Sequence, residues 1–424
     1  MGVSAVPSSG ESSIAPEPND YVIRVFDHPG NIPAAAWNAL LAHEADPSPF
    51  MRHEYLCALH DSGSACADTG WQPGFVTLWQ AGALQAACPF YRKQHSYGEY
   101  VFDWSWANAY EQHGLRYYPK GLVAVPFTPV PGARLLAVDG AARAALVQAL
   151  LQRARAEDLS SLHLLFLQEH DVAACADAGL MLRHTVQFHW HNHAPGNPAS
   201  DGGRAETPFH DFDHFLGSLQ QDKRKKIRQE RRKVAEAGVV FRHAQGAAIT
   251  PDDWDFFYRC YERTYLEHGN APYLSRDTFA RLARTLPEHW LLFIAERNGQ
   301  PIASSLIGLD APHGVAYGRY WGALERVDCL HFEACYYQPI QWCIAQGFRR
   351  FEGGAQGEHK MARALLPVRT TSAHWLAHPA FADAVERFLA REGAGMDDYL
   401  RELAQRNPLK APGETPMSLP HNRP

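Results

Sequence analysis

The chain has eight cysteines, at 57, 66, 88, 175, 260, 329, 335 and 343, and no C-x-x-C pair. That scatter argues against a zinc ribbon, a dithiol redox centre or a dense disulfide framework, and reduced thiols in a cytoplasm are expected. No apolar run approaches the roughly 20 residues a membrane-spanning helix needs. The first twenty residues, MGVSAVPSSGESSIAPEPND, lack both a basic and an apolar stretch, so no secretory signal is read there. Excess positive charge is missing too. Forty Lys and Arg against 46 Asp and Glu give a net charge of −6, which argues against a generic nucleic-acid binder and leaves any anion binding to a local patch. With 46% hydrophobic and 20% charged residues, the 424-residue chain is globular. It is long enough for two or three domains.

Low-complexity segments divide it. Residues 1–20 and 402–424 are expected to be disordered. The stretch HAPGNPASDGGRAETP contains almost nothing that packs and marks a linker over 194–208. Two blocks remain, 21–193 and 209–401. In the second, WLLFIAERNGQPIASSLIGL predicts a hairpin around Asn298-Gly299, because both turn residues accept positive φ. Helices are expected over Pro251–Glu267, Ser275–Leu286 and His331–Gln346, with Gly347 as the stop. Further strands are expected over Gly314–Trp321 and RRFEGG. The first block repeats the theme. A hairpin is predicted at Ala81-Gly82, strands at Tyr100–Trp106, LSSLHLLFL and LMLRHTVQFHWHN, and a helix at Ala141–Ala156. The fold class is α/β (α+β), a mixed sheet domain present twice.

Three segments of the second block carry chemistry. A basic helix over 212–238 puts eight cations into residues 223–233, and Arg224, Arg228, Arg231 and Arg232 cluster on one side, where guanidinium groups can hold phosphates. A solvated face or a nonspecific RNA patch is the competing reading. RYWGALERVDCLHFEACYYQ runs from a strand into a helix N-terminus, a common anion site, with His331, Glu333 and Tyr337 on the first turns. Its loop holds Gly322 alone and no glycine-rich phosphate cradle. FEGGAQGEHKMAR bends at three glycines among Gln356, Glu358, His359 and Lys360. In the first block, Glu99 and Asp103 sit among Tyr100, Trp104 and other aromatics, a mixture suited to sugar or peptide recognition or to an ordinary core. His189, His191 and His193 alternate along one strand face but lack a fourth ligand, so no metal is expected.

Taken together, SPFMRHEYLCALHDSGS, YGEYVFDWSWANAYE, KRKKIRQERR, GRYWGALE, HFEACYYQPIQW and FEGGAQGEHKMAR resemble the FemAB-like peptidoglycan biosynthesis/recognition proteins, predicted N-acyltransferases of the GNAT superfamily. The resemblance runs in order from about Ser48 to Phe388. It implies two tandem GNAT-like domains, each a mixed, mostly antiparallel sheet flanked by helices. Fem-type relatives move an aminoacyl group from charged tRNA to an amine of a peptidoglycan precursor, and other GNAT proteins use acyl-CoA. The GNAT pyrophosphate loop, Q/R-x-x-G-x-G/A, has no counterpart in ALERVDCLHFE, which contains no glycine.

The expected activity is therefore N-acyl transfer to an amine, with acyl-CoA or aminoacyl-tRNA as co-substrate and no tightly bound cofactor. The expected partners are a small-molecule or peptidoglycan-precursor acceptor and tRNA. The base is expected among Glu333, His331, Glu358 and His359, with Tyr337 as a donor to the oxyanion. Arg224, Arg228, Arg231, Arg319 and Lys360 would hold donor phosphates. Glu99, Tyr100, Asp103, Trp104, Tyr320 and Gln356 would line the acceptor site. A recognition protein that binds peptidoglycan fragments without catalysis is the alternative.

Overall fold

The computed structural model describes residues 21–193, 207–355 and 357–410. Fifteen strands lie among them. One sheet of four, in the order β1 (Val22–Phe26), β3 (Phe75–Gln80), β4 (Ala83–Cys88), β7 (Leu136–Ala137), belongs wholly to the first block. The other eleven strands form one sheet. Its order is β10 (Val239–Gln245), β11 (Trp290–Arg297), β12 (Gln300–Asp310), β13 (Val315–Ala323), β14 (Arg350–Ala355), β9 (Met181–His191), β15 (Leu366–Leu376), β8 (Ser161–Leu167), β6 (Lys120–Val123), β5 (Phe90–Lys93), β2 (Trp71–Pro73). Its pairings are antiparallel except β13–β14 and β6–β8. Helices flank the sheets, giving a mixed α/β fold.

Local chemistry explains the elements. Asn298 and Gly299 both adopt positive φ, 53° and 73°, and fold β11 onto β12 in the expected hairpin. Helix Pro251–Glu267 starts where predicted. Thr250 caps it, Pro251 needs no N–H in the first turn, and the Thr250 amide donates in return to the Asp253 carboxylate at 3.0 Å. The expected strand at Tyr100–Trp106 is instead a loop followed by helix Trp104–Gln112. Tyr100 takes φ +62°, which a strand cannot accommodate. The basic helix is broken. Phe212–Ser218 ends at an extended Leu219, and Gln221–Glu236 begins afresh.

The two blocks do not form two separate sheets. β9, the last strand of the first block, lies between β14 and β15 of the second. β15 in turn pairs with β8 of the first. The core follows this exchange. Phe50, Tyr55, Leu56 and Trp71 share one buried cluster with Phe257, Tyr261, Phe279 and Trp290. Helix Pro379–Gln405 runs past the expected end of ordered structure, and the chain beyond it returns to the broken basic helix. Leu409 bridges Leu219, and the Lys410 amide donates to Ser218 O at 2.9 Å.

Candidate functional site

Strands β13 and β14 pair only from Val315 to Tyr317 against Arg350 to Glu352, and then part. Two irregularities open them. On β13, Leu306 faces Tyr320 while the next residue, Ile307, faces Gly318, so Arg319 is an extra residue, a β-bulge. On β14, the pairing with β9 slips between Glu352 and Ala355, and Gly354 turns with φ +76°. A bulge re-aims its side chain. Arg319 reaches across to the first block, donating to Phe127 O at 3.1 Å and Tyr320 Oη at 3.1 Å, with its guanidinium 4.8 Å above the Phe50 ring.

Next to the parting, the helix that follows β13 is itself irregular. Leu330–Phe332 is α-helical, Glu333–Tyr337 makes a π turn, and Gln338–Ala345 resumes the α-helix. Pro339 cannot donate to the carbonyl four residues back, and the turn before it widens. His331 packs its ring on Trp321 of β13 at 5.5 Å and on Tyr336 at 5.7 Å. The Tyr336 hydroxyl hydrogen-bonds His359 Nε2 at 3.2 Å. Lys360 is buried and donates to Gly354 O at 3.1 Å. Gly353 lies where no side chain fits, since a Cβ there would stand 2.4 Å from Leu365 Cδ2 and 3.3 Å from Lys360 Cδ. His331, Tyr336, His359 and Lys360 thus gather beside the gap.

Burial sets their protonation. It pushes the His331 imidazole down to about 4, helped by the nearby charges of His359, Arg363 and Lys360, so His331 is neutral at pH 7. The Lys360 ammonium falls to about 8, again chiefly through burial. The Cys335 thiol rises to about 12 and stays protonated. Its Sγ is therefore no thiolate nucleophile.

Other expected residues lie elsewhere. Glu333 is buried, and its carboxylate is occupied: Arg231 Nε donates to it at 3.1 and 3.2 Å, and Gln338 Nε2 at 2.7 Å. Arg231 is thereby drawn off the cationic face, with its guanidinium 4.6 Å from the Phe212 ring. Arg228 points outward toward Asp213 at 3.7 Å, and Arg224 is half-buried. Tyr337 is fully buried and donates to Glu230, while Arg363 Nε donates to the Tyr337 oxygen at 3.0 Å. Glu358 is exposed and faces away from the gap, bonded by Tyr399 at 2.7 Å and Arg406 at 3.2 Å. Gln356 lies outside the described residues.

In the first block, Glu99 and Asp103 are buried in an ionic cluster and do not line an open groove. Lys120 Nζ binds Glu99 at 2.7 Å and Asp103 at 2.5 Å, and Tyr117 donates to Asp103 at 2.6 Å. Burial lifts the Glu99 carboxyl to about 7, whereas the Lys120 charge keeps Asp103 ionised against its own burial. Tyr100 neighbours Tyr265 and Tyr320, and Trp104 is exposed against Tyr97. His189 is buried, 3.3 Å from Gln187 Oε1 and 3.8 Å from Glu352. Among the described residues no group of three or more His, Cys, Asp or Glu could hold a metal ion.

Two residues that the sequence reading passed over tie the gap together. Arg363 Nη2 grips Glu230 at 2.8 and 3.0 Å, its Nη1 donates to His359 O at 2.8 Å, and its plane covers the Phe332 ring at 3.7 Å. Glu230 had a signal. It stands within the polycationic run, on the face of the buried Ile227 and Val234.

No curated protein matches the chain at a significant level. Solved structures of similar architecture include L-PGS from Bacillus licheniformis (11% identity, 81% of this chain and 98% of that one, TM-score 0.46). FemX (11%, 84% and 98%, 0.48) and a tandem GNAT protein from the clavulanic acid biosynthesis pathway (14%, 85% and 99%, 0.41) are others. The family model described as FemAB-like, peptidoglycan biosynthesis/recognition, matches residues 29–411, and the chain belongs to that family.

Proposed function

We propose that the chain is an N-acyltransferase that moves an acyl or aminoacyl group onto the amine of a peptidoglycan-related acceptor, with the chemistry at the parting of β13 and β14. The observation that carries this reading is the convergence of His331, Tyr336, His359 and Lys360 beside two strands that separate just past Tyr317. In such a step the amine nitrogen attacks the activated carbonyl carbon, the carbonyl electrons move to oxygen, and the thiolate or ribose oxygen of the donor departs. A neutral His331 accepts the amine proton, directly or through water, as a base that needs no prior deprotonation. Lys360, still mostly protonated at neutral pH, sets positive charge toward the developing oxyanion. The protonated Cys335 makes a covalent intermediate on sulfur unfavourable, which supports direct attack.

Acyl-CoA and charged tRNA are both retained as donors. The exposed Lys225, Lys226 and Arg228 give the basic helix an anion-binding face suited to either. Tyr320 and Tyr100, where the two blocks meet, are assigned to the acceptor, and Arg319, expected to hold donor phosphate, is instead occupied by Phe127 O and the Tyr320 hydroxyl. Mass spectrometry of reactions that combine each donor class with muramyl-peptide and simple amine acceptors tests the reading. Transfer to an amine from one donor class is expected. Tight binding of the acceptor with no transfer from either class would favour recognition alone.

A further inference from the structure

Far from the parted strands, a second groove lies between helix Trp104–Gln112, with the loop that follows it, and the first turns of helix Pro379–Gln405. From Phe381 to Tyr399, which binds Glu358, the helix runs about 27 Å at 1.5 Å per residue. The groove has two halves that share Leu115 and His378. One, of about 530 Å³, is apolar and walled by Trp106, Ala109, Phe381, Ala384, Val385 and Phe388. The other, of about 520 Å³, is polar and lined by Arg92, Tyr110, Arg116 and Tyr118, with Glu157 and Asp158 also on its wall. Both volumes fall within the roughly 300–1,000 Å³ of small-molecule sites.

Three buried donors on these walls have no hydrogen-bond partner among the described residues: Arg92 Nε, the Tyr110 hydroxyl and Trp106 Nε1. Trp106 and Tyr110 are 4% and 3% exposed, so bulk water does not serve them freely. These three atoms lie behind the wall, and the polar groups that an occupant can reach are the half-buried Arg92 and the exposed Arg116. They set the charge of this half. Glu157 is taken by Arg153 at 2.5 Å, and neither Arg92 nor Arg116 forms an ion pair among the described residues, so two arginines face Asp158.

We infer that this groove binds a single-chain amphiphile, an alkyl or acyl chain bearing a carboxylate or phosphate. The chain lies against Phe381, Ala384 and Phe388, and the headgroup oxygens meet Arg92 and Arg116. A hydrophobic chain without a headgroup would leave the arginines unmatched, and a bare anion would leave the apolar half open to water.

Isothermal titration of the full chain with hexyl, octyl and dodecyl phosphate, each below its micelle concentration, tests this. Affinity should tighten with length, by up to about fourfold per methylene buried. Ala384→Trp fills the apolar half and should weaken dodecyl phosphate at least about tenfold while flattening the length dependence. Arg116→Glu lies on an exposed loop and keeps the test open should the first variant fail to fold. It should weaken all three ligands about tenfold and leave their ratios unchanged. Dodecanoate in a parallel arm separates the sources. Equal or tighter binding assigns the site to fatty acids, and weaker binding to lipid phosphates. The inference is overturned if no alkyl phosphate binds, if hexyl and dodecyl chains bind alike, if dodecyltrimethylammonium binds as well as the phosphates, or if Arg116→Glu changes nothing.

Discussion

Single residues here often do work that the sequence disguises. Gly322 looks like the remnant of a phosphate loop, yet a Cβ at that position would lie 2.0 Å from the Cys260 carbonyl oxygen. The glycine is there so that helix Pro251–Glu267 can press against β13. Gly322→Ala should destabilise the protein by about 1–3 kcal/mol or more, read from a denaturant midpoint, because backbone cannot move aside as a side chain can. Arg363 is a sharper case. Replacing it with Ala leaves Glu230 buried with the Tyr337 hydroxyl as its remaining partner, and a loss of about 3–5 kcal/mol is expected in the same measurement. The glutamate at 333 was legible as a chemical group in a promising turn. What the sequence could not convey is that Arg231, a full 102 positions away, would fill it. Pairing between distant elements has no local pattern, so Glu333 and Glu358 read as free bases while the arginines that occupy them, Arg231 and Arg406, sat far along the chain. His331, His359 and Lys360 stood out because the turns that carry them are unusual in themselves, and the fold brings the three near one another.

At the scale of elements, what was legible follows from periodicity and turn chemistry. The Asn298-Gly299 hairpin and the Pro251 helix were readable because their signals are local. The strand expected at Tyr100–Trp106 failed because Tyr100 takes a positive φ and Asp103 turns into a buried ionic cluster with Lys120 before a helix begins at Trp104. Buried titratable groups, in that cluster and elsewhere in the sheets, control pH behaviour. His163 and His374 meet Nδ1 to Nδ1 at 2.7 Å on adjoining strands β8 and β15. Burial pushes His163, His60 and His189 down to about 3, and His374 also far below its ordinary value. These imidazoles stay neutral when folded and bind protons when unfolded, so they favour unfolding as pH falls from about 6.5 toward 3. Glu99 and Glu352, raised to about 7, and Asp171, raised to about 6, act in the opposite sense between their unfolded and folded values. The two groups offset one another above about pH 4.5, and below it the histidines act almost unopposed. Thermal melts across pH should show a shallow change from pH 6.5 to 4.5 and a steep fall beneath. A melting temperature flat down to pH 3.5 would contradict this balance.

For the whole molecule, the exchange of β9 and β15 matters most. The low-complexity break pointed to two tandem blocks, and composition could not show that each lends its last strand to the shared sheet. A fragment ending at residue 193 loses β15, and one starting at 209 loses β9, leaving long unpaired strand edges. Expressed alone, each fragment should aggregate or lack cooperative unfolding by circular dichroism. Expressed together, they should associate into one soluble species on size exclusion. The exchange also places the parted strands where both blocks can reach them, which is the basis for assigning catalysis to one side of the gap and acceptor recognition to the other. The most direct test of that assignment is a single-turnover acyl-transfer assay, read by product mass, on the unaltered chain and on His331→Gln, Lys360→Met and Glu358→Ala. A loss of about 10²-fold or more is predicted for the first two, in line with removal of a general base or an oxyanion partner, and near-full activity for Glu358→Ala. Full activity in both His331→Gln and Lys360→Met, with transfer abolished by Glu358→Ala, would place the chemistry on another face of the protein.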